Sequence, residues 1–376
     1  MALIPTVGIL GGGQLGRMMA FEARRMGFNV AFLVPAPAPP VENLGEVIVD
    51  DWYDPQVLRA FAARCDVVTT ENEWAPLDVL AQHNPGIPVW PSPTTLGYIR
   101  HKGRQKEHLQ KAGLPVPDFR NCRTREEAQQ ALIELGVPAV AKKFEGSYDG
   151  YGNFTIRTPE ELSQAWDLLA AEDGLLIEAF VPFVRELAIL VARRPSGDMR
   201  IYPLVWTEQR DHRCYAVMAP APVDTSLIEQ AQALAKKTAQ VVDAVGILAI
   251  ELFEQPDGTL LINELAPRPH NTGHYSIEAC YTSQFENHIR AVLDLPLGSP
   301  ALRTPAAVMI NLLGNRTGET APRGLAEALS IDQVYLHLYG KTDVRPKRKM
   351  GHITALDTTL EEARARAEQA ASAITL

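Results

Sequence analysis

Short apolar runs alternate with amphipathic stretches over the first hundred positions. Thr6–Leu10 and Asn29–Val34 have the length and apolar content of strands, and residues 14–26 between them carry helical periodicity. A further strand at 66–70 ends in the polar run Glu71-Asn72-Glu73. Strands separated by helices predict a parallel sheet with crossovers.

The texture changes near His101. A basic helix at 102–112 stops at Gly113-Leu114-Pro115. Thr124 with Glu127, and Thr158 with Glu161, form capping boxes that predict two helix starts, the second with Pro159 at the first helical position. Strands are expected at 139–144 and 153–157, joined by a glycine-rich loop. A long helix at 226–245, closed by Gly246, precedes strands at 247–253 and 259–265. The remainder reads as a smaller unit: strand-like Ala306–Leu313 and 333–338, a basic turn, and a terminal helix from Leu360.

Composition narrows the class. The chain has 376 residues, 46% of them hydrophobic and 22% charged, as in a soluble protein of several domains. No apolar run approaches the ~20 residues of a membrane helix, and the first residues do not read as a signal peptide. Cysteines 65, 122, 214 and 280 are far apart, which argues against a zinc site or disulfide framework and fits a reducing cytoplasm. A net charge of −9 argues against a nucleic-acid coat.

Four places can carry chemistry. The first, Gly11-Gly12-Gly13-Gln14-Leu15-Gly16, satisfies G-x-G-x-x-G between a strand and a helix. A dinucleotide site also wants a carboxylate at the end of the second strand, and here that strand ends Leu33-Val34-Pro35. A small anionic ligand, or simply a tight turn, fits better. The second is the loop Gly146-Ser147-Tyr148-Asp149-Gly150-Tyr151-Gly152, preceded by Lys142 and Lys143. Its backbone amides could wrap polyphosphate oxygens, although it is not a Walker loop.

The third is the hairpin from Ile247 to Leu265. Asp257-Gly258 signals a two-residue turn, which pairs Glu251 with Glu264 and puts Ala249, Phe253, Ile262 and Ala266 on their face. Two carboxylates ~5 Å apart on an apolar face repel each other unless a cation lies between them. Oxygen ligands alone favour Mg²⁺ shared with substrate phosphates; a shared proton or a solvent-facing edge is the alternative. The loop that follows, from Ala266 to Tyr275, is polar, and its Arg268 could hold a phosphate or developing negative charge. The fourth is the basic turn at 341–349, which a substrate phosphate, an RNA contact or plain solvation would explain.

These pieces together resemble the ATP-grasp superfamily, and within it the N5-carboxyaminoimidazole ribonucleotide synthetase family. The resemblance runs from about residue 6 to 355. It rests on Gly-Gln-Leu-Gly-Arg-Met at 13–18, Tyr-Asp-Gly at 148–150 and Asn-Glu-Leu-Ala-Pro-Arg-Pro-His-Asn-Thr-Gly-His at 263–274. Ser-Gln-Phe-Glu at 283–286, Asn-Leu-Leu-Gly at 311–314 and Arg-Lys-Met-Gly-His at 348–352 add to it.

The resemblance implies an α/β protein, α+β overall. It would comprise a Rossmann-like preATP-grasp domain at 1–105, an ATP-grasp domain at 106–300 with its lid at about 118–182, and a small C-terminal domain at 301–376. It implies a cytoplasmic homodimeric ligase of purine biosynthesis. ATP would phosphorylate bicarbonate to carboxyphosphate, whose carboxyl group passes to 5-aminoimidazole ribonucleotide (AIR). Lys102, Lys142 and the loop residues Gly146, Ser147, Tyr148, Asp149, Gly150, Tyr151 and Gly152 would bind ATP. Glu178, Ala179, Phe180 and Val181 would read adenine, Glu186 the ribose, and Asn263 would adjoin the nucleotide. Glu251 and Glu264 would hold Mg²⁺. Gln14, Leu15, Glu71, Tyr148, Asp149, Arg268, Lys341 and Arg348 would surround AIR, the last two on its phosphate, with Asp149 as general base.

Two positions depart from the family pattern. Tyr151 stands where relatives carry Arg or Lys, and residues 206–214 lack an Asn-x-His pattern, with Glu208 the candidate substitute. Other ATP-grasp ligases, such as a formate-using glycinamide ribonucleotide transformylase or a biotin carboxylase, are the nearest alternatives. A nicotinamide oxidoreductase would leave the carboxylate pair unexplained.

Overall fold

Three sheets converge on one cleft. The computed structural model describes residues 4–146, 152–169, 171–210 and 213–376. The amino-terminal sheet contains β1 (Thr6–Leu10), β2 (Asn29–Val34), β3 (Glu46–Val49) and β4 (Val67–Thr70), all parallel, in the order β3-β2-β1-β4. The order reverses between β1 and β4, so a crevice opens at their carboxyl ends, where open α/β sheets bind ligands. Apolar side chains cover both faces, Phe32 and Val7 on one and Leu33 and Phe61 on the other.

A small antiparallel sheet forms the lid. It contains β5 (Phe119–Cys122), β6 (Ala139–Lys143), β7 (Asn153–Ile156) and β8 (Leu175–Ala179), ordered β5-β8-β6-β7. Helix Arg125–Leu135 starts as expected: Thr124 accepts from the Glu127 amide, and Glu127 accepts from the Arg123 amide at 2.6 Å. The second helix starts later than expected, at Glu161. The Glu161 side chain reaches back to the Arg157 amide (2.7 Å), while 159–160 form a turn and Thr158 does not cap the helix.

The third sheet is the spine. It contains β9 (Arg185–Arg193), β10 (Met199–Ile201), β11 (Val205–Arg210), β12 (Arg213–Ala219), β13 (Gly246–Glu254), β14 (Leu260–Ala266) and β15 (Ala306–Leu313). After the short β16 (Gly318–Glu319) it is extended by β17 (Val334–Leu338) and, past β18 (Asp343–Val344), by β19 (Lys349–Asp357). The order is β14-β13-β9-β11-β12-β15-β19-β17, with β10 paired to β9. The carboxyl-terminal strands therefore continue this sheet through the β12–β15 pairing, and do not form a sheet of their own. Helix Thr225–Val241, shorter than the expected 226–245, lays Leu227, Ala231, Ala235 and Ala239 on one face of the sheet. Helix Leu360–Ala373 packs Ala363, Ala367 and Ala370 on the carboxyl-terminal strands.

The β13–β14 turn differs from expectation in an instructive way. Gln255 donates to the Thr259 carbonyl, so the loop is the three residues Pro256, Asp257 and Gly258, with Gly258 at φ 80°. That shifts the register near the turn by one, pairing Leu252 with Ile262 and Phe253 with Leu261. A bulge at Asn263 takes the shift back, and Glu251 faces Glu264 after all. Ile262 accordingly joins Ile250 and Leu252 in the core, not the carboxylate face.

Candidate active site

A cleft of about 1320 Å³ lies between the lid, the spine and the carboxyl ends of β1 and β4. Gln14, Leu15, Glu71, Lys102, Lys142, Glu178, Ala179, Phe180, Val181, Glu186, Glu251, Asn263, Glu264, Arg268, Lys341 and Arg348 all line it. Gly146 and Gly152, with φ of 78° and 85°, flank Ser147, Tyr148, Asp149, Gly150 and Tyr151, which lie outside the described residues.

The carboxylate pair sits at the floor. Lys102, the first residue of its helix, reaches Glu264 at 2.6 Å. Burial and the charges of Glu264 and Glu186 push the Glu251 carboxyl up. Burial also acts on Glu264, but Lys102, with Lys142 and Lys106, outweighs it and holds that carboxyl down. Glu186, Glu251 and Glu264 thus crowd three carboxyl groups into one corner of the cleft, and all-oxygen donors of this kind fit a hard divalent cation. The Asn263 bulge has a second effect: Asn263 and Glu264 both line the cleft, and Lys142 donates to Asn263 Oδ1 at 3.2 Å.

Behind the lid strand, Glu178 is almost wholly buried and bonds Lys142 and Lys106, the latter at 2.8 Å. Lys106 also donates to the Ile262 carbonyl at 3.0 Å, which ties lid to spine. Sequence reasoning named Glu178 but missed Lys106, whose i, i+4 spacing from Lys102 on one helix was the available signal. The amides of Ala179 and Phe180 are committed to the carbonyls of Asp118 and Pro138. Phe183 stacks on Phe253 with ring centroids 4.8 Å apart, and both line the cleft.

The glycine turn is engaged by the chain itself. Glu71 accepts from the amides of Gly13 (2.6 Å) and Gly16 (2.9 Å), at the place where an anion would bind a helix start. Burial raises its carboxyl, opposed by those amides and by Arg268 and Lys341. Gly11, at φ 109°, lies against the Glu71 side chain, where a Cβ would collide. Gln14 accepts from Lys341 at 2.8 Å, joining this turn to the basic segment. Arg348 pairs with Asp343 and also donates to its carbonyl at 2.9 Å.

The loop after β14 supplies a further polar wall. Arg268 holds Glu73 at 2.9 Å, and His270 Nε2 lies 3.8 Å from Glu251. His270 and Asn271 line the cleft beside them. Apart from the Cys214 thiol, no group among the described residues hydrogen-bonds the buried amide of Asn271. Glu208 is turned elsewhere, paired with Arg364 at 2.6 Å and Arg210 at 3.0 Å; a bulge after it presents Gln209 to the cleft, joined there by Arg213 and Cys214.

A lid over two opposed carboxylates and their lysines defines the ATP-grasp class. Residues 107–285 match the ATP-grasp domain family, 4–100 the ribonucleotide synthetase preATP-grasp domain, and 307–366 the phosphoribosylaminoimidazole carboxylase C-terminal domain. The N5-carboxyaminoimidazole ribonucleotide synthase of Synechococcus elongatus is 39% identical, covering 93% of this chain and 88% of its own length. The phosphoribosylaminoimidazole carboxylase of Schizosaccharomyces pombe is 40% identical over 95% of this chain, which spans 66% of that longer protein. The Aspergillus clavatus N5-carboxyaminoimidazole synthase, solved with ADP and 5-aminoimidazole ribonucleotide, superposes with a TM-score of 0.89 at 33% identity, covering 99% of both chains. The chain belongs to the N5-carboxyaminoimidazole ribonucleotide synthase family of ATP-grasp ligases.

Proposed function

We propose that this protein carboxylates the amine of AIR, using ATP and bicarbonate. The observation that carries the reading is the meeting, in one cleft, of the Glu251–Glu264 pair with Lys102 and Lys142, the Arg268–Asn271 loop and the basic segment at 341–349.

Lys102 and Lys142 would hold the ATP phosphates and Glu186 the ribose. Adenine would lie by Phe183 and Phe253, read by Val181 and by carbonyls of 178–180, since the amides of Ala179 and Phe180 are engaged. Glu251 and Glu264 would hold Mg²⁺, which would offset charge on the transferring phosphoryl group. Arg268, His270 and Asn271 would bind bicarbonate: Asn271 offers one donor and one acceptor, and Arg268 a positive charge. AIR would then lie toward Gln14, Leu15 and Glu71, with its phosphate on Lys341 and Arg348.

The γ-phosphoryl group moves to a bicarbonate oxygen as its bond to ADP breaks. The AIR amine then attacks the carboxyl carbon, the C–N bond forms and inorganic phosphate leaves. Asp149 would take the amine proton, with Tyr148 beside it; Ser147 and Gly150 would wrap phosphate oxygens. Carboxyphosphate is short-lived in water, so the lid must exclude solvent while it exists. Tyr151 would leave that loop one positive charge poorer than in relatives. In this reading the chain would divide near 105, within helix Lys102–Lys111, and near 300, where the spine sheet runs on through the β12–β15 pairing, and the protein would be a cytoplasmic homodimer.

Labelled bicarbonate tests the reading. Label should appear on the AIR amine at low temperature only with ATP present; incorporation without ATP, or none with it, would refute it.

A further inference from the structure

In the loop that lines the cleft with Arg268, His270 and Asn271, the His270 backbone amide and carbonyl are both held by the side chain of Gln284. Gln284 is fully buried at the start of helix Gln284–Val292. Its Oε1 accepts from the His270 amide at 2.8 Å, and its Nε2 donates to the His270 carbonyl at 2.7 Å. The second Nε2 hydrogen reaches His274 Nδ1 at 3.1 Å. Both faces of the carboxamide are thus used, and its orientation is fixed by its partners.

None of these bonds serves the helix. Ser283 already caps it, accepting from the Glu286 amide at 3.0 Å, and Ser276 Oγ accepts the Gln284 amide at 2.9 Å. The loop is also packed tightly on the carboxamide: a Cβ on Gly273 would lie 2.6 Å from the Gln284 carboxamide carbon. An apolar side chain could fill this volume, but it would leave the His270 amide and carbonyl without those partners.

We propose that Gln284 is a positioning residue for bicarbonate. By clamping the His270 peptide it sets how Arg268, His270 and Asn271 meet that substrate, while the ATP-binding lysines stand on other elements. The inference rests on the bicarbonate pocket proposed above. Misplacement of reacting groups by a fraction of an ångström to 1 Å costs about ten- to a hundredfold.

The test is steady-state kinetics of the full chain in CO₂-depleted buffer, with bicarbonate, ATP and AIR varied in turn. Gln284→Met, of similar volume, should raise KM for bicarbonate about tenfold or more and leave KM for ATP within about twofold. Gln284→Glu, which keeps an acceptor for the His270 amide but replaces the two Nε2 donors by a carboxyl oxygen with at most one hydrogen, should fall between. A folded Gln284→Met with unchanged bicarbonate KM, or with all three constants raised together, overturns the proposal. If that variant does not fold, Gln284→Glu decides by the same criterion. Asn271→Ala separates the two levels. Unchanged bicarbonate KM there refutes the pocket itself, whereas a rise there with none in Gln284→Met refutes the role of Gln284 alone.

Discussion

Lys106 and Glu178 form an ion pair at 2.8 Å, with side-chain exposures of 2% and 3%, in the seam between the lid and the spine. Burial favours the neutral acid, but Lys106 and Lys142 outweigh it and hold the Glu178 carboxyl down at about 2. Burial also lowers Lys106 to about 8. Removing one partner leaves the other buried and unpaired, so Glu178→Gln should cost about 3–5 kcal/mol in urea unfolding. Its contribution is complete above the ordinary carboxyl value of 4.5 and is lost as pH falls from there toward about 2. The acid limb of wild-type stability should therefore be steeper than that of Glu178→Gln; matching limbs would contradict the pairing.

Glu264 is paired with Lys102 and lies opposite Glu251, on the face of the β13–β14 hairpin that lines the cleft. Glu264→Ala should retain its fold by circular dichroism and lose turnover with Mg-ATP by about a hundredfold or more. Full activity in that variant would sink the metal assignment.

Glu71 satisfies two amides at the start of helix Gln14–Arg25, a service resembling that of an N-cap. Glu71→Ala should lower stability by about 1–2 kcal/mol. The same change should raise KM for AIR, because Gln14 and Leu15 belong to that turn. Normal stability together with normal AIR affinity would show that the turn needs no internal anion.

Lys341 bridges Gln14 and the Lys349 carbonyl and lines the cleft. Lys341→Ala should raise KM for AIR about tenfold and leave KM for ATP unchanged, since a charge-assisted phosphate contact is worth roughly 1.5–3 kcal/mol. Equal effects on both substrates would move the phosphate elsewhere.

Much of this was legible before any coordinates. Strand–helix alternation, Thr124 and Glu127, and the polar loop after β14 all act locally, and local signals survive in sequence. The Glu251–Glu264 pairing was right for an incomplete reason: the turn is one residue longer than Asp257-Gly258 suggested, and the Asn263 bulge compensates. A bulge leaves no periodic trace, so the move of Ile262 to the core was out of reach. The glycine turn suggested an anion, yet the anion includes Glu71 from the same chain, 55 positions past Gly16, a contact only the sheet creates. Glu208 looked available because sequence cannot show that Arg364, on the last helix, claims it. Gln284 was visible only as part of a motif; its partnership with His270 appears once the helix is docked.

The most direct measurement is ADP release by the purified protein with Mg-ATP, in the four combinations of bicarbonate and AIR present or absent. Release should be strong only when both are supplied, with product followed at low temperature because a carbamate is labile. Release that ignores AIR, or none under any of the four conditions, would contradict the assignment and move the acceptor to another amine or acid.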